Sequence, residues 1–348
     1  MSPHHGGPGK TNLVTAQLRE APPPAGDIDR LIASVADRMA KVNALIVSHA
    51  GSDVAMIPEI ADHLVSSGGK RIRPMLTLAT AAMFGYSGDG DVKLATAVEY
   101  MHTATLLHDD VVDESGMRRG KPTARLIWGN QASVLVGDFL LGQAFKLMVE
   151  VGSLDALDIF ARAAATISEG EVRQLAGAKN LSVGEGHYMA VIEAKTAALF
   201  AAATAAGPIV AGAPEHRAAL ESYGRHLGLA FQLIDDVLDY EGDAEQLGKN
   251  VGDDLREGKA TLPVLLAYER GNEADRAFWR RCIEEGDVRD GDVQAAARRV
   301  KDTGALYDSR ERARAFAQQS VKDLSTAPAS EMRDILESVV YFTLSRLN

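Results

Sequence analysis

Apolar residues recur at helical spacing along most of the chain. Ala, Leu, Glu, Arg and Lys dominate these segments, and neither an alternating strand pattern nor an Asn-Gly hairpin signal appears. The pattern therefore predicts an all-α protein built as a large helical bundle, with four further helices beyond residue 272. The earlier helices are predicted at about 28–50, 54–66, 73–84, 91–114, 130–151, 154–179, 186–206, 214–242 and 259–270.

The beginning of the chain differs in composition from the rest. Residues 1–26 are rich in Pro, Gly and polar residues and lack the apolar core of a signal peptide, so we interpret them as a mobile tail. No Pro/Ser-rich linker follows, so residues 27–348 are predicted to form one domain. The longest uncharged stretch, Thr196 to Pro214, is Ala-rich and broken at Gly207-Pro208, which predicts a buried core helix rather than a transmembrane segment.

Charge and cysteine content narrow the function classes. The chain has 37 Lys and Arg residues against 48 Asp and Glu residues, a net charge of −11 that disfavours nucleic acid as a partner. An anionic ligand would therefore need local cations or a metal ion. Cys282 is the only cysteine, so no intramolecular disulfide can form, and the cytoplasm is the predicted location.

Two similar acidic motifs interrupt apolar helical sequence, LLHDDVVDES at residues 106–115 and QLIDDVLDYE at residues 232–241. At about 100° per residue, Asp109 and Asp113 share one face of a helix, and Asp235 and Asp239 share a face of another. Such like charges repel by about 1 kcal/mol in water and by more where water is scarce. A solvated acidic face is the alternative, but duplication between apolar flanks favours a site for several Mg²⁺ ions and a phosphate.

Basic residues suited to a phosphate occur near these motifs. The segment SSGGKRIRP places Lys70 and Arg73 at a helix start marked by Pro74. Positive charge there opposes the helix dipole, which favours capture of an anion over the alternative of ordinary surface cations. The segment GMRRGKPT follows the first acidic motif and brings basic residues back beside it. These cations have an alternative explanation, because positive charge past a helix C-terminus complements the helix dipole without any ligand. The other basic candidates are Arg118, Arg119, Lys195, Lys249 and Lys259.

These motifs resemble those of the trans-isoprenyl diphosphate synthases, in the same order along the chain. The resemblance covers roughly residues 28–348 and departs at no motif position. It is strongest to the long-chain polyprenyl (octaprenyl to decaprenyl) diphosphate synthases that make quinone side chains. It implies a homodimer with the isoprenoid synthase fold and a central cavity. The matching segments are GGKRIRP, HTATLLHDDVVDESGMRRGKPT, VGDFLL, EAKTA, FQLIDDVLDY and GKNVGDDLREGKATLP.

The resemblance also implies a reaction and a role for each motif residue. In the family, about three Mg²⁺ ions hold an allylic diphosphate, such as farnesyl diphosphate, and the allylic cation left by diphosphate departure is attacked by isopentenyl diphosphate. The resemblance makes Asp109, Asp113 and Asp235 direct metal ligands, and Asp110, Asp236 and Asp239 ligands through water or orienting groups. It assigns Arg118, Lys195 and Lys259 to the allylic diphosphate, and Thr196 and Gln232 to the reacting carbons. The residues assigned to isopentenyl diphosphate are Lys70, Arg73, His102 and Arg119, and Lys249 is assigned to substrate binding.

Two small residues before the first acidic motif bear on product length. Bulky aromatic residues at the positions of Ala104 and Thr105 stop synthesis early in the family, so this chain resembles the open form. By this analogy the products are all-trans chains of about eight to ten isoprene units, about C40–C50. The protein is predicted to be cytoplasmic, and peripheral contact with a membrane for product release is left open. The alternatives are a shorter-chain (C15–C20) synthase, a non-catalytic subunit of a heteromeric synthase, a terpene cyclase and a purely structural helical protein.

Overall fold

The computed structural model describes residues 28–66, 68–241 and 252–347, and its architecture is all-α. Every predicted helix is present, with ends that differ from the prediction by a few residues. Lys249 lies outside the described residues. The helices are α1 Ile28–His49, α2 Met56–Ser66, α3 Ile72–Ala82, α4 Gly90–Val112, α5 Ala124–Trp128, α6 Asn130–Val151, α7 Leu154–Gly177, α8 Gly184–Ile192, α9 Ala198–Val210, α10 Arg217–Glu241, α11 Asp253–Arg256, α12 Leu262–Arg270, α13 Glu273–Trp279, α14 Asp292–Asp302, α15 Ala305–Leu324 and α16 Glu331–Ser345.

A two-residue antiparallel strand pair, Met117–Arg118 with Lys121–Pro122, follows the first acidic motif. The sequence did not predict it, because two residues are too few to show an alternating pattern. Its turn is formed by Arg119 and Gly120, both of which have positive φ, 51° and 75°. Tight hairpin turns of this kind usually carry Asn-Gly, so an Arg in the left-handed region hides the signal. The hairpin fixes Arg118 and Arg119 beside α4.

The helix predicted to end at residue 206 continues to Val210 as α9, so the predicted end at Gly207-Pro208 was wrong. Gly207 has no Cβ and packs directly on the backbone of α3 at Thr80 and Ala81. This tertiary contact outweighs the one backbone hydrogen bond that a proline removes near a helix end. The segment Glu193–Ala197, which joins α8 to α9, is π-helical.

The helix α10 runs through the centre of the molecule. It contributes Leu220, Tyr223 and Leu227 to the larger apolar cluster, which also contains α1, α3, α4, α6, α7, α9 and α16. It contributes Leu233 and Val237 to the second cluster, which contains α8 and the helices α12 to α15. The helix α10 therefore spans both clusters, and its acidic motif lies in the part that packs into the second.

Within the described part of the chain, two stretches are long and apolar enough to cross a membrane, judged by length and composition alone: Asn130–Val151 and Leu181–Val210. In the second, 67% of the apolar window is buried inside the protein, as expected of a core helix. In the first, which is α6, only 39% is buried, so this helix presents apolar surface outward.

Candidate active site

The first acidic motif lies at the end of α4. The helix stops inside the motif, because Asp113 occupies the C-cap position and Glu114 has a φ of 51°. Burial raises the pKa of Asp109 to about 7, and the neighbouring carboxylates of Glu171 and Asp113 add to this rise. A cation bound beside Asp109 would relieve both effects.

Asp110 differs from its neighbours in being completely buried. Its Oδ1 accepts hydrogen bonds from Arg118, 2.9 Å from Nε and 2.8 Å from Nη2. Its Oδ2 is also buried and has no hydrogen-bond partner among the described residues. A buried carboxylate oxygen without a partner costs about 1–3 kcal/mol, so this atom suits a bound cation or a water held by one.

In the second motif, Asp236 is the orienting centre. Gln232 Nε2 donates to Asp236 Oδ1 at 2.8 Å, and the Tyr188 hydroxyl donates to Oδ2. Thr196 Oγ1 donates in turn to Gln232 Oε1 at 2.8 Å. Burial raises the pKa of Asp236 well above its usual value, while these two donors oppose the rise. The network therefore ties Thr196, Gln232 and Asp236, three residues that the sequence predicted separately, into one unit.

The other two acids of the second motif have different partners. Asp235 Oδ1 lies 2.7 Å from Nη2 of Arg346, just beyond the end of α16. Asp239 accepts from the backbone N–H groups of Asp253 and Asp254, at 3.2 and 3.3 Å. Burial raises the pKa of Asp239 to about 7, with the nearby Asp254 carboxylate as the next cause.

Lys259 connects the two motifs. Its Nζ lies 3.3 Å from Asp113 Oδ2 and 2.6 Å from Glu257 Oε2. Burial alone would lower the pKa of Lys259, but the surrounding carboxylates, led by Asp113 and followed by Asp254, raise it above its usual value. Asp254 also acts on Asp239, so Lys259 pairs directly with the first acidic motif and is linked to the second through the Asp254 carboxylate.

Lys195 lies on the π-helical segment, a kind of irregularity that often occurs at functional sites. Its Nζ is 2.6 Å from Glu171 Oε2 and 3.0 Å from Gln174 Oε1, both on α7. Lys195 also acts electrostatically on Asp109 and lowers the pKa of that carboxyl. The structure therefore places Lys195 near the first acidic motif, and its role at the allylic diphosphate stays a prediction.

A second cluster of cations surrounds the start of α3. The Arg73 guanidinium stacks over the Phe200 ring, 4.4 Å from its centroid, and burial lowers the pKa of Arg73 to about 10. Lys70 Nζ lies 4.5 Å from the centroid of Phe342 on α16, and burial followed by the charge of Arg346 lowers its pKa. Asp235 acts on both Lys70 and Arg73, so this cluster adjoins the second acidic motif.

A cavity opens between this cluster and α4. Burial, followed by the charges of Arg73 and Arg119, holds the pKa of His102 well below its usual value, so the imidazole is neutral. A neutral imidazole can donate one hydrogen bond to an anion without adding charge. The cavity lining includes Gly69, Arg71, Glu99, His102, Arg118 and Arg119.

Within the described ranges, no group of three or more His, Cys, Asp or Glu side chains converges closely enough to hold a metal ion. Mg²⁺ commonly binds proteins through one or two carboxylates and completes its shell with water and phosphate oxygens. The acids found here fit that mode, since each motif supplies carboxylates one helical turn apart rather than a closed cage of ligands.

Several residues of this site were not predicted from the sequence. Arg346 gave no signal, because its contact with Asp235 joins the end of the chain to a helix far away in sequence. Tyr188 resembled an ordinary core aromatic, and only its contact with Asp236 distinguishes it. Glu171 and Gln174 are spaced three residues apart on α7, a spacing that puts them on one face and could have been noticed.

Comparison with known proteins identifies the family. The family model described as polyprenyl synthetase matches residues 54–300, and the chain belongs to this family. It is 45% identical to the octaprenyl diphosphate synthase of Escherichia coli (strain K12), over 92% of this chain and 99% of that protein.

Two solved structures agree with this assignment. A polyprenyl synthase from Caulobacter crescentus CB15, complexed with calcium and isoprenyl diphosphate, matches with a TM-score of 0.89 and 49% identity, covering 92% of this chain and 98% of that one. A decaprenyl diphosphate synthase from Rhodobacter capsulatus matches with a TM-score of 0.88 and 49% identity, covering 92% of this chain and all of that one (100%). The predicted fold, family and transferase class are confirmed.

Proposed function

We propose that the protein is a Mg²⁺-dependent trans-prenyltransferase that extends an allylic diphosphate with successive isopentenyl diphosphates to a polyprenyl diphosphate of about C40–C50, the precursor of a quinone side chain. The position of Lys259 carries this proposal, because its ammonium group pairs with Asp113 of the first motif and feels Asp254, the carboxylate that also acts on Asp239 of the second. Relatives named as octaprenyl and decaprenyl diphosphate synthases support the long product.

The allylic diphosphate would bind between the two motifs, where Arg118, Lys195 and Lys259 offer positive charge. Bound Mg²⁺, about three ions, would stabilise the charge that develops on the departing diphosphate. We assign direct metal contact to Asp109, Asp113 and Asp235, and indirect contact to the other three acids. Asp236 fits an orienting role, since both of its oxygens already accept hydrogen bonds. The outer contacts are proposed for Asp110, Asp236 and Asp239.

Isopentenyl diphosphate would bind without metal in the cavity beside α3. Arg73 and His102 would contact its diphosphate together with Lys70 and Arg119. Thr196 and Gln232 would lie beside the reacting carbons of the two substrates, between this cavity and the acidic motifs. Their mutual hydrogen bond fixes the two side chains relative to each other.

Product length would be set along α4 below Asp109. Ala104 is buried, and Thr105 is half-buried with its hydroxyl donating to the His102 carbonyl at 2.8 Å. Neither side chain has the bulk to stop a growing chain, as the long products require.

We further propose that the protein is a homodimer in the cytoplasm that contacts membranes only peripherally to release its product. The outward face of α5, α6 and α7 carries large apolar side chains that a partner subunit would cover. Scattered single apolar residues are normal on the surface of a monomer, but a grouped set of this kind is typical of an interface. The exposed residues of this face include Leu126, Leu135, Val149, Val172 and Leu175.

Incorporation of radiolabelled isopentenyl diphosphate, with farnesyl diphosphate as starter, tests the chemistry. We expect incorporation that requires Mg²⁺ and falls by at least about 100-fold in Asp109→Asn, whereas Asp37→Asn, a change on the exposed side of α1, leaves it unchanged. Failure to incorporate under any Mg²⁺ condition would instead favour the non-catalytic subunit.

A further inference from the structure

Glu99 on α4 is a carboxylate with no role in the reaction proposed above. It lines the cavity beside α3 together with Arg71, His102 and Arg119. A carboxylate in a site for a diphosphate has the same sign of charge as the ligand, so its presence requires an explanation. It lies ten residues before the first acid of the motif, Asp109, on the side of α4 that faces the arginines.

The charges around Glu99 come from two parts of the chain. Arg71 and Arg73, at the start of α3, act on it from one side, and Arg119 acts from the hairpin. Arg71 has a left-handed backbone, φ 47°, and its guanidinium donates to Asn43 on α1. This contact holds the Arg71 guanidinium in place without help from a ligand.

The other groups in the cavity do not neutralise Glu99. His102, on the same helix, is held neutral, and Arg118 is engaged by Asp110. Burial raises the pKa of the Glu99 carboxyl above its usual value, although the three arginines oppose the rise. The carboxylate therefore depends on guanidinium groups that a diphosphate would also claim.

We propose that Glu99 takes up a proton when a diphosphate binds to these arginines, so that binding of the metal-free substrate and protonation of Glu99 are linked. This inference rests on the proposed function, which places isopentenyl diphosphate in this cavity. The physical reason is twofold. The bound diphosphate cancels the field of the arginines that favoured the charged carboxylate, and it adds direct repulsion of its own.

The sign of the linkage follows from the two protonation states. Glu99 binds a proton more tightly in the complex than in the free protein, so affinity for the diphosphate is highest at low pH. It falls as the pH rises from the pKa of Glu99 in the free protein towards its pKa in the complex. Glu99 thus keeps the affinity for this substrate moderate at neutral pH, which suits a site that must be refilled at every round of elongation.

Calorimetric titration with isopentenyl diphosphate, in EDTA and without an allylic substrate, tests the proposal. Each titration is repeated at one pH in two phosphate-free buffers of different ionisation enthalpy, which yields the number of protons taken up. We expect Glu99→Gln to lose the uptake seen with the wild-type protein and to bind more tightly above pH 7, with a flattened pH dependence. The ligand's own protons cancel in this comparison.

Two variants serve as controls. Glu99→Asp retains a carboxyl and should retain the uptake. His102→Gln should retain it as well, because the proposal assigns the proton to Glu99 and not to the neighbouring imidazole. Equal uptake in the wild-type protein and in Glu99→Gln, or its disappearance in His102→Gln, would overturn the proposal.

The wild-type protein alone is also informative if Glu99→Gln does not fold. An affinity that changes between pH 5.5 and 8 only as the protonation of the free ligand predicts would overturn the inference. Complete absence of binding would instead refute the proposed function, whereas binding without linked proton uptake would refute only the role of Glu99.

Discussion

Replacement of Tyr188 by Phe removes one hydroxyl from the acidic site and nothing else. In the wild-type protein this hydroxyl donates to Asp236, whose side chain is buried and whose other oxygen is occupied by Gln232. Without it, one carboxylate oxygen is left without a donor in a place that water does not reach. A buried acceptor left without its partner costs about 1–3 kcal/mol, so Tyr188→Phe should destabilise the metal-free protein by about that amount.

For a chain of this length, a loss of that size corresponds to a fall in Tm of about 2–5 °C. The same change should weaken Mg²⁺-dependent activity by about 10–100-fold, the usual effect of removing a group that orients a metal-binding carboxylate. The assays are thermal unfolding in EDTA and incorporation of isopentenyl diphosphate as a function of Mg²⁺ concentration.

The matched control is Tyr307→Phe, since the Tyr307 side chain is 64% exposed and lies away from the site. It should change neither Tm nor the Mg²⁺ dependence. A Tyr188→Phe protein that unfolds earlier but keeps the wild-type Mg²⁺ dependence would refute the orienting role and leave Tyr188 as a packing residue only.

Three further changes have defined outcomes. Arg346→Gln breaks the ion pair with Asp235, whose two side chains are each about one quarter exposed, and should lower the free energy of unfolding in EDTA by about 1 kcal/mol. An unchanged denaturation midpoint would contradict this contact. Ala104→Phe should shorten the product on chromatography, and an unchanged chain length would remove Ala104 from the tunnel wall. The pKa values of Asp109 and Asp239 are raised to about 7, above the usual Asp range, so both are protonated more readily in the folded protein. The Tm of the metal-free protein should therefore fall as the pH rises from about 4 to 7, and Asp109→Asn together with Asp239→Asn should flatten this dependence.

The helical architecture could be predicted because apolar spacing and loop residues are local signals. The acidic motifs could be predicted as a site because the cost of grouping like charges is also local, and it appears twice. Lys195 and Lys259 entered the prediction through resemblance, and the structure places both beside the acids.

The rest of the site depends on contacts between distant parts of the chain. Arg346 reaches Asp235 only because α16 packs against the start of α3, through contacts such as that of Phe342 with Lys70. The hairpin that holds Arg119 was missed because its turn uses Arg-Gly in place of the usual Asn-Gly. No pattern along the sequence reports either arrangement.

The chain length of the product is the decisive test of the proposed function. The wild-type protein is incubated with farnesyl diphosphate, excess isopentenyl diphosphate and Mg²⁺, and the dephosphorylated products are separated by reversed-phase chromatography. We expect all-trans chains of about C40–C50, by analogy with the long-chain members of the family. Products that stop at C15 or C20 would contradict it, since Ala104 and Thr105 would then leave no open path below the acidic site.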